Sequence, residues 1–597
     1  MVTARFDQHR PGQDRSFVLE GMDREVVATG LDEVIPAIEE AAAAARAGAW
    51  CAGFVGYEAA PAFDAALHVL PPRPESPPLA WFGVFADKCE VEPFPPRGRH
   101  PAPYTVSGWL ASVDAPVYNK AIDEIHALIE AGETYQVNYS LRLQAAFSGE
   151  PLEFYRDLVL SQRGAYGAYL EVENHAILSA SPERFFAIEG NAITTRPMKG
   201  TIRRGLWTAE DREMAAALHA SAKDRAENLM IVDLIRSDLG RVAEFGSVSV
   251  DELFTLERYE TVWQLTSEVS AELRAGTSVA DVFSAMFPCG SVTGAPKPRS
   301  MGIIADLEDS PRGVYCGAVG FLAPAGEETT AASFNVAIRT VTIDRDEGIA
   351  EYGVGGAVTW DSSSEGEYEE ARAKAQLLVQ RRPEFDLVET MRWDGDWWWL
   401  DRHLQRMADS AEYFGYVFDR DAALARCRAA VAGEFGPRRV RLVLARTGSL
   451  SASVDDSAPD EVPLGPGGSG DPLRLAIDPE PVLSTDTFLY HKTTLRRPYE
   501  GRLSRYERAD DVLLVNERGE VTESTVCNLA AFIDGRWVTP PLTSGCLPGI
   551  ARSVLLDRGL VTESILTVDD VVNAESLGLV NSVRGWRGAE LLPQVAD

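Results

Sequence analysis

The chain has 597 residues, 45% of them apolar and 25% charged, proportions ordinary for a soluble globular enzyme. That length is too great for one core, so several structural units are expected. A formal charge of −33 disfavours nucleic acid and anionic membrane as partners, since both need basic surface, and an anionic substrate must be drawn in by local positive groups.

In chain order, residues 31 to 48 form an Ala-rich amphipathic helix, and 52 to 69 hold a Gly/Ala-rich turn around Gly56-Tyr57-Glu58. Pro-rich connections follow at 71–78 and 94–103. A helical pattern runs from Tyr118 to Gly132, then strand-like alternation at 164–171, 176–188 and 192–196. A strong helix is predicted over 221–239, strands over 315–322, 331–344 and 349–360, and a helix from Glu365 to Gln380 that Arg381-Arg382-Pro383 ends. Beyond it the texture restarts, with a tryptophan-rich stretch from Trp393 to Leu400, a helix opening at Asp401, and strands at 439–446 and 472–478. Residues 451–472, rich in Asp, Ser, Pro and Gly, read as a surface loop. A domain boundary near 383 divides the chain into 1–383 and 384–597. Seven cysteines without a CxxC pair suit neither zinc nor a disulfide framework, and with no apolar leader or span a cytoplasmic protein is expected.

Several segments carry chemistry. In Thr195-Arg196-Pro197-Met198-Lys199-Gly200-Thr201 the proline and glycine bracket the lysine in a turn and fix the direction of its amine, although a Lys beside a Gly, taken alone, reads as solvated. The helix from Lys223 to Gly240 sets Glu227 on one face with Met230, Ile231 and Leu234, where a carboxylate needs either a basic partner or a metal. Glu367 and Glu370 share a face at i, i+3. Glu370 and Lys374 at i, i+4 make an ordinary surface pair, but carboxylates from two helices would also suit Mg²⁺. Spacing leaves both readings open. Phe287-Pro288-Cys289-Gly290-Ser291-Val292-Thr293-Gly294-Ala295-Pro296-Lys297 is not a nucleotide phosphate loop, because Ala-Pro separates the second glycine from the lysine; it reads as an anion-binding or substrate-facing turn. Arg339 ends a strand, where it is either solvated or a carboxylate clamp, and Gly353, Gly355 and Gly356 let backbone approach a ligand closely.

Together with Ala131-Gly132-Glu133-Thr134-Tyr135-Gln136-Val137-Asn138 and Ser181-Pro182-Glu183-Arg184-Phe185, these blocks resemble the chorismate-utilising enzyme family over most of the first 380 residues. The resemblance implies a layered α/β sandwich with two facing antiparallel sheets. It also implies that Glu227 and Glu370 bind Mg²⁺ with Glu367 close by, and that chorismate is held by Tyr315, Arg339, the backbone at Gly355 and Gly356, and the turn carrying Thr293. Lys199 discriminates within the family. Anthranilate synthases carry a small residue there, whereas aminodeoxychorismate synthases carry lysine in a Pro-Ile-Lys-Gly-Thr block similar to this one. The resemblance therefore implies Lys199 as a covalent nucleophile and Glu183 as the acid that protonates the departing hydroxyl. Gln264 stands where many relatives have histidine, Ser237 where they have Asn, and Ser364 where they have Pro. No cysteine lies in a Gly-x-Cys-x-Gly elbow, so ammonia is expected from a separate glutamine amidotransferase subunit. Ser16-Phe17-Val18-Leu19-Glu20 resembles a segment that borders a tryptophan pocket in relatives.

The remainder resembles class IV pyridoxal-phosphate enzymes, the group of branched-chain and D-amino acid aminotransferases and aminodeoxychorismate lyase, with their two-subdomain α/β fold. The blocks are Phe385 to Thr390, Leu400-Asp401-Arg402-His403-Leu404-Gln405-Arg406, Val521 to Leu529, Leu547 to Arg552 and Asn581-Ser582-Val583-Arg584-Gly585. This implies pyridoxal phosphate carried on Lys492, Glu523 paired with the pyridine nitrogen, and Arg406 with the backbone at Ile550 and Ala551 on the phosphate; Ala551 replaces a common threonine. A homodimer through this domain is a further implication. The two halves together point to 4-aminobenzoate, the folate precursor. The alternatives are an anthranilate synthase followed by a transaminase, and a catalytically silent regulatory subunit.

Overall fold

The structure, a computed structural model, describes residues 4–8, 15–95, 102–326, 330–379, 383–458, 465–466 and 471–593. Parts of the predicted connections at 94–103 and 451–472, and the Arg381-Arg382 helix stop, lie outside the described residues. The chain forms two compact units, one of Met1–Arg204 with Met214–Arg382, the other of Gly205–Glu213 with Pro383–Asp597. Among the described residues no helix is long and apolar enough to cross a membrane.

In the first unit every strand pair is antiparallel. Gln136–Gly149 pairs with Ile349–Val358, and the ladder continues through Thr340–Asp344, His175–Ser181 and Tyr166–Val172 to Ala4–Gln8. From there it runs through Arg15–Ala28, Ala80–Val91, Trp50–Val55, Ala318–Leu322, Thr330–Val336, Arg184–Glu189 and Ala192–Arg196 to Val262–Glu272. Val262–Glu272 also pairs with Met198–Arg203 and Ser249–Arg258. The two expected layers are thus hydrogen-bonded into one continuous path, with Ala4–Gln8 joining them. Phe6, Phe17, Trp50, Phe54, Trp81, Leu170, Ile177 and Phe321 form a core from strands of both halves of the path. Outer cores lie under helices Leu31–Arg46, Ala222–Gly240 and Val279–Met286 on one side, and Ala115–Glu130, Pro151–Gln162 and Ser364–Ala375 on the other. That is the layering of a sandwich.

Local departures from the predicted elements have physical causes. The predicted strand 176–188 is interrupted at Pro182-Glu183, and 331–344 breaks at Arg339, whose φ is +54°. Lys199 lies within the strand Met198–Arg203 rather than in a turn.

The second unit opens with the antiparallel sheet Leu387–Trp393, Arg438–Leu444 and Leu450–Asp455, covered by helices Leu400–Phe414 and Arg420–Ala430. The predicted loop therefore begins after a strand that holds Ser451–Asp455. Next comes a closed ring: Asp511–Val515, Leu473–Ile477, Gly585–Leu591, Ser576–Asn581, Asn528–Ile533 and Val521–Ser524, which returns to Asp511–Val515. Leu475, Leu513, Leu529 and Leu579 are among its buried core. Gly205–Glu213, which the boundary near 383 does not anticipate, is tied to this unit by hydrogen bonds from Tyr413 Oη to the Gly205 carbonyl (2.6 Å) and from Thr208 Oγ1 to the Asp409 carbonyl (2.9 Å).

Candidate active sites

The first site gathers around Lys199, half-buried on its strand, with Nζ 3.5 Å from Asn138 Oδ1. Burial pushes the amine below the ordinary lysine range. Glu183 opposes that shift, Lys374 adds to it, and Glu227 and Glu370 oppose it, so all four lie near enough to act on the amine. Glu183, 2% exposed, follows Pro182 in the break between two strands. Burial raises its carboxyl to about 7 against hydrogen bonds from Ser291 and the Met198 backbone, and its Oε1 has no partner. A carboxyl poised near neutrality beside a lysine whose amine burial pushes below its ordinary range is an arrangement that can supply an acid and a nucleophile.

Ser291 comes from the Gly-rich turn, and Lys297 at the end of that turn donates to Asp238 Oδ2 and to the Met286 carbonyl, each at 2.9 Å. That lysine is an internal tie, consistent with no nucleotide site. Thr293, fully buried, donates to the Cys289 carbonyl at 3.2 Å, and its own carbonyl accepts from Asn138 N–H at 2.9 Å. It anchors the strand bearing Asn138 rather than offering its hydroxyl outward.

On the helix Ser364–Ala375, Lys374 Nζ lies 2.6 Å from Glu370 Oε1 and donates to the Gly355 carbonyl at 2.8 Å. Lys374 holds the Glu370 carboxyl below its ordinary value, while burial and the neighbouring Glu370 raise Glu367. Burial likewise raises Glu227, against Lys199 and Lys223. Glu367 Oε2 is buried without a partner. A Cβ on Gly356 would come within 2.6 Å of that oxygen. The donors fit a hard cation such as Mg²⁺, which takes carboxylate oxygens and keeps waters. Among the described residues no preformed cluster of three such groups is present.

Arg339 Nη1 donates to the Lys374 carbonyl at 3.0 Å. Tyr315 shares a 3.2 Å hydrogen bond with Ser140, and its ring fills the space a Cβ on Gly353 would occupy, at 2.3 Å. A Cβ on Gly355 would strike the Tyr139 carbonyl at 2.0 Å. Those glycines serve close packing between neighbouring strands. Behind Tyr315 lies an ion network that motif reading missed. Glu308 accepts from Arg142 (2.9 Å), Arg312 (2.6 Å) and Ser140 N–H (3.0 Å), and Arg312 also donates to the Asn138 carbonyl at 2.7 Å.

The second site gathers around Lys492, half-buried, whose carbonyl accepts from Val388 N–H at 3.0 Å. Burial lowers its amine to about 8, assisted by Arg406 and opposed by Glu389 and Glu523. Glu523 is raised to about 7 by burial, although Tyr499 Oη (2.7 Å), Leu547 N–H (3.1 Å) and Asn528 Nδ2 (3.1 Å) all donate to it. Arg406 is more heavily engaged than its predicted phosphate role suggests. It donates twice to Glu389, at 2.8 and 2.7 Å, and once to the Pro548 carbonyl at 2.9 Å. Two of its five N–H groups remain. His403 Nδ1 completes the group, 2.6 Å from Glu389. Burial pushes Glu389 up, but Arg406 and His403 overcome this and hold it at about 2. Pro548 leads into helix Ile550–Asp557, whose first turn has no side-chain cap. Open amides at Ile550 and Ala551 beside a fixed guanidinium fit a phosphate, and Glu523 fits a protonated ring nitrogen. Glu389, Tyr499 and Asn528 were not singled out from sequence; the acid two positions before the strand's Met391 is the one readable signal among them.

Residues 4–380 match the family described as chorismate binding enzyme, and residues 386–591 the family described as amino-transferase class IV. Aminodeoxychorismate synthase component 1 of Salmonella typhimurium is 41% identical over 273 residues, 46% of this chain and 59% of that protein. Aminodeoxychorismate synthase of Streptomyces griseus is 44% identical over 268 residues, 45% of this chain and 36% of that one. The chain thus spans less than two thirds of the length of these curated relatives. The crystal structure of anthranilate synthase component I from Streptococcus pneumoniae superposes with a TM-score of 0.51 at 24% identity, covering 63% of this chain and 90% of that one, a likeness of fold. With well over half its length matched, the chain belongs to the chorismate binding enzyme family and carries a class IV amino-transferase domain behind that part.

Proposed function

We propose that the chain makes 4-aminobenzoate in two reactions: domain 1–383 aminates chorismate to 4-amino-4-deoxychorismate, and domain 384–597 eliminates pyruvate from that product. The observation that carries the reading is Lys199, an amine that burial pushes below the ordinary lysine range, near Glu183, whose carboxyl burial raises to about 7, in a chain that also holds the Lys492–Glu523 pair. The relatives named aminodeoxychorismate synthase support it.

In the first reaction Lys199 Nζ attacks C2 of the ring, both double bonds of the conjugated diene shift by one position (C1=C2 to C1=C6 and C5=C6 to C4=C5), and the C4 hydroxyl leaves as water with the proton of Glu183. Ammonia then adds at C4, the diene shifts back, Lys199 leaves C2 as the free amine, and the proton given up by the added nitrogen returns to Glu183. Arg339 and Tyr315 hold the carboxylate end of the substrate. Glu227, Glu367 and Glu370 would hold Mg²⁺, which supplies positive charge to a substrate carboxylate. In the second reaction Lys492 removes the C4 proton, and loss of pyruvate leaves the aromatic product. Pyridoxal phosphate, when bound, supplies an electron sink for that step. Glu523 would pair with its ring nitrogen, and Arg406 with the Ile550 and Ala551 amides would hold its phosphate. Ammonia comes from a separate glutamine amidotransferase, the second domain pairs with a second copy of the chain, and the enzyme works in the cytoplasm.

Incubation with chorismate, Mg²⁺, ammonium and pyridoxal phosphate tests the reading. 4-Aminobenzoate is the expected product, and Lys492→Ala should stop at 4-amino-4-deoxychorismate. Anthranilate, or no product, overturns the proposal.

A further inference from the structure

The strand that carries Lys199 does not keep a straight ladder. Met198 pairs with Thr266 and Thr201 with Gln264, so Lys199 and Gly200 together face the single residue Leu265. This is a β-bulge. Gly200, at φ +92°, adopts the backbone that L side chains resist. Bulges bend a strand and redirect a side chain, and they take backbone groups out of ladder register.

Asn228, 1% exposed, reaches this bulge from the helix Ala222–Gly240, one position after Glu227. Its Nδ2 donates to the carbonyls of Lys199 and Leu265, both at 3.4 Å, the two residues that face each other across the irregularity. Its Oδ1 accepts from Ser267 Oγ at 2.6 Å. Ser267 is itself fully buried, accepts from Phe254 N–H at 3.3 Å, and donates its own N–H to the Pro197 carbonyl at 3.1 Å. The whole polar head of Asn228 is therefore spent on the strands that flank Lys199. Asparagine is a poor interior helix residue, and helix formation does not call for it here. Neither reaction above uses it.

We propose that Asn228 is a positioning residue for Lys199: its amide clamps the bulge, fixes the direction of the amine, and registers the Lys199 strand against the helix that bears Glu227. The proposal rests on the reading of Lys199 as nucleophile. Without the clamp the bulge can relax, and a one-residue slip turns every side chain of the strand to the opposite face.

The test uses the full chain with Asn228→Asp, which keeps the size and the acceptor for Ser267 but sets a carboxylate against two carbonyls. Ser267→Ala is the second variant, should the first fail to fold; it leaves the amide in place but removes the hydroxyl that orients it. Acetic anhydride labelling of Lys199 across pH, read by peptide mass spectrometry without substrate, reports the amine's setting directly. Ser267→Ala, which adds no charge of its own, should shift the Lys199 labelling midpoint to higher pH, and in Asn228→Asp the new carboxylate adds to the same shift. They should also lower kcat for aminodeoxychorismate formation, by about 10²-fold for an ångström of displacement, with KM for chorismate little changed. A wild-type labelling profile and kcat in the folded variants would overturn the clamp, whatever their Tm. If Lys199→Ala still forms product at the normal rate, the nucleophile reading fails on its own, and the labelling shift still decides the clamp.

Discussion

Replacing Glu183 by Gln removes one acidic proton and keeps the shape of the side chain. Glu183 is 2% exposed and its carboxyl is raised to about 7 by burial. With that value about half of the sites carry the proton at pH 7, about a tenth at pH 8 and about a hundredth at pH 9. The rate of the first reaction should therefore fall roughly tenfold per pH unit above neutrality if this proton drives departure of the hydroxyl. Glu183→Gln should lower kcat/KM by about 10²–10⁴-fold, the usual worth of a general acid, and abolish that alkaline limb. The same shift bears on stability with a fixed sign. A carboxyl raised on folding binds more protons in the folded state, so stability is lost as pH rises from 4.5 towards about 7. A displacement of that size corresponds to about 3 kcal/mol, so the Gln variant should be the more stable protein at pH 8 and lose its advantage at pH 4. The assay measures 4-amino-4-deoxychorismate in a Lys492→Ala background at saturating Mg²⁺ and constant free ammonia, with Tm followed at both pH values. An alkaline limb that survives in Glu183→Gln, or a rate loss below about tenfold, would refute the assignment.

Three further predictions follow from contacts in the two sites. Glu389, 1% exposed and held at about 2, contributes stability that is present above pH 4.5 and lost as pH falls towards 2; Glu389→Gln should remove about 3 kcal/mol at pH 7 and release pyridoxal phosphate more readily, as read by chemical unfolding and by absorbance titration of the cofactor. Gly356→Ala forces Glu367 Oε2 away from a Cβ placed at 2.6 Å. Stability should barely change, because the carboxyl is the free end of a flexible chain, but Mn²⁺ affinity measured by electron paramagnetic resonance should fall about tenfold. Tyr499→Phe removes the 2.7 Å donor to Glu523, and should weaken cofactor retention by about 1–3 kcal/mol in the same absorbance titration.

What the sequence revealed depended on whether burial followed polarity. The Ala-rich helix predicted at 31–48 is found at Leu31–Arg46, because its small apolar residues sit on one face and charges on the other. The long strand Gln136–Gly149 escaped periodic reading, since Gln136, Asn138, Ser140 and Arg142 form a polar stripe that is buried against the site. Alternation signals a strand only when one face is wet. The sequence around Lys199 has the signature of a turn because proline and glycine punctuate turns and bulges alike. On the Ala222–Gly240 helix the buried stripe is Asn228, Ile231, Val232, Ile235 and Leu239, which leaves Glu227 half-buried beside it. Its neighbour Asn228 leaves no signal in the sequence, since a lone asparagine carries no pattern. The charged groups behind Tyr315 and Arg406 were equally silent, because a buried ion pair across the fold leaves no spacing to read.

The membership of Gly205–Glu213 in the second unit has a consequence for how this fusion can be taken apart. Leu206 and Trp207 pack with Val482, Leu489, Tyr490 and Leu514, and Trp207 lies 5.3 Å from the Tyr490 ring, two residues before Lys492. A cut at residue 383 gives a C-terminal fragment that has lost this strip of its own surface and bares the apolar bed beneath it. Transplanting the second unit into another protein would therefore require supplying these nine residues as a separate peptide or grafting them onto the new terminus. The genetic seam and the mechanical seam of the protein lie in different places.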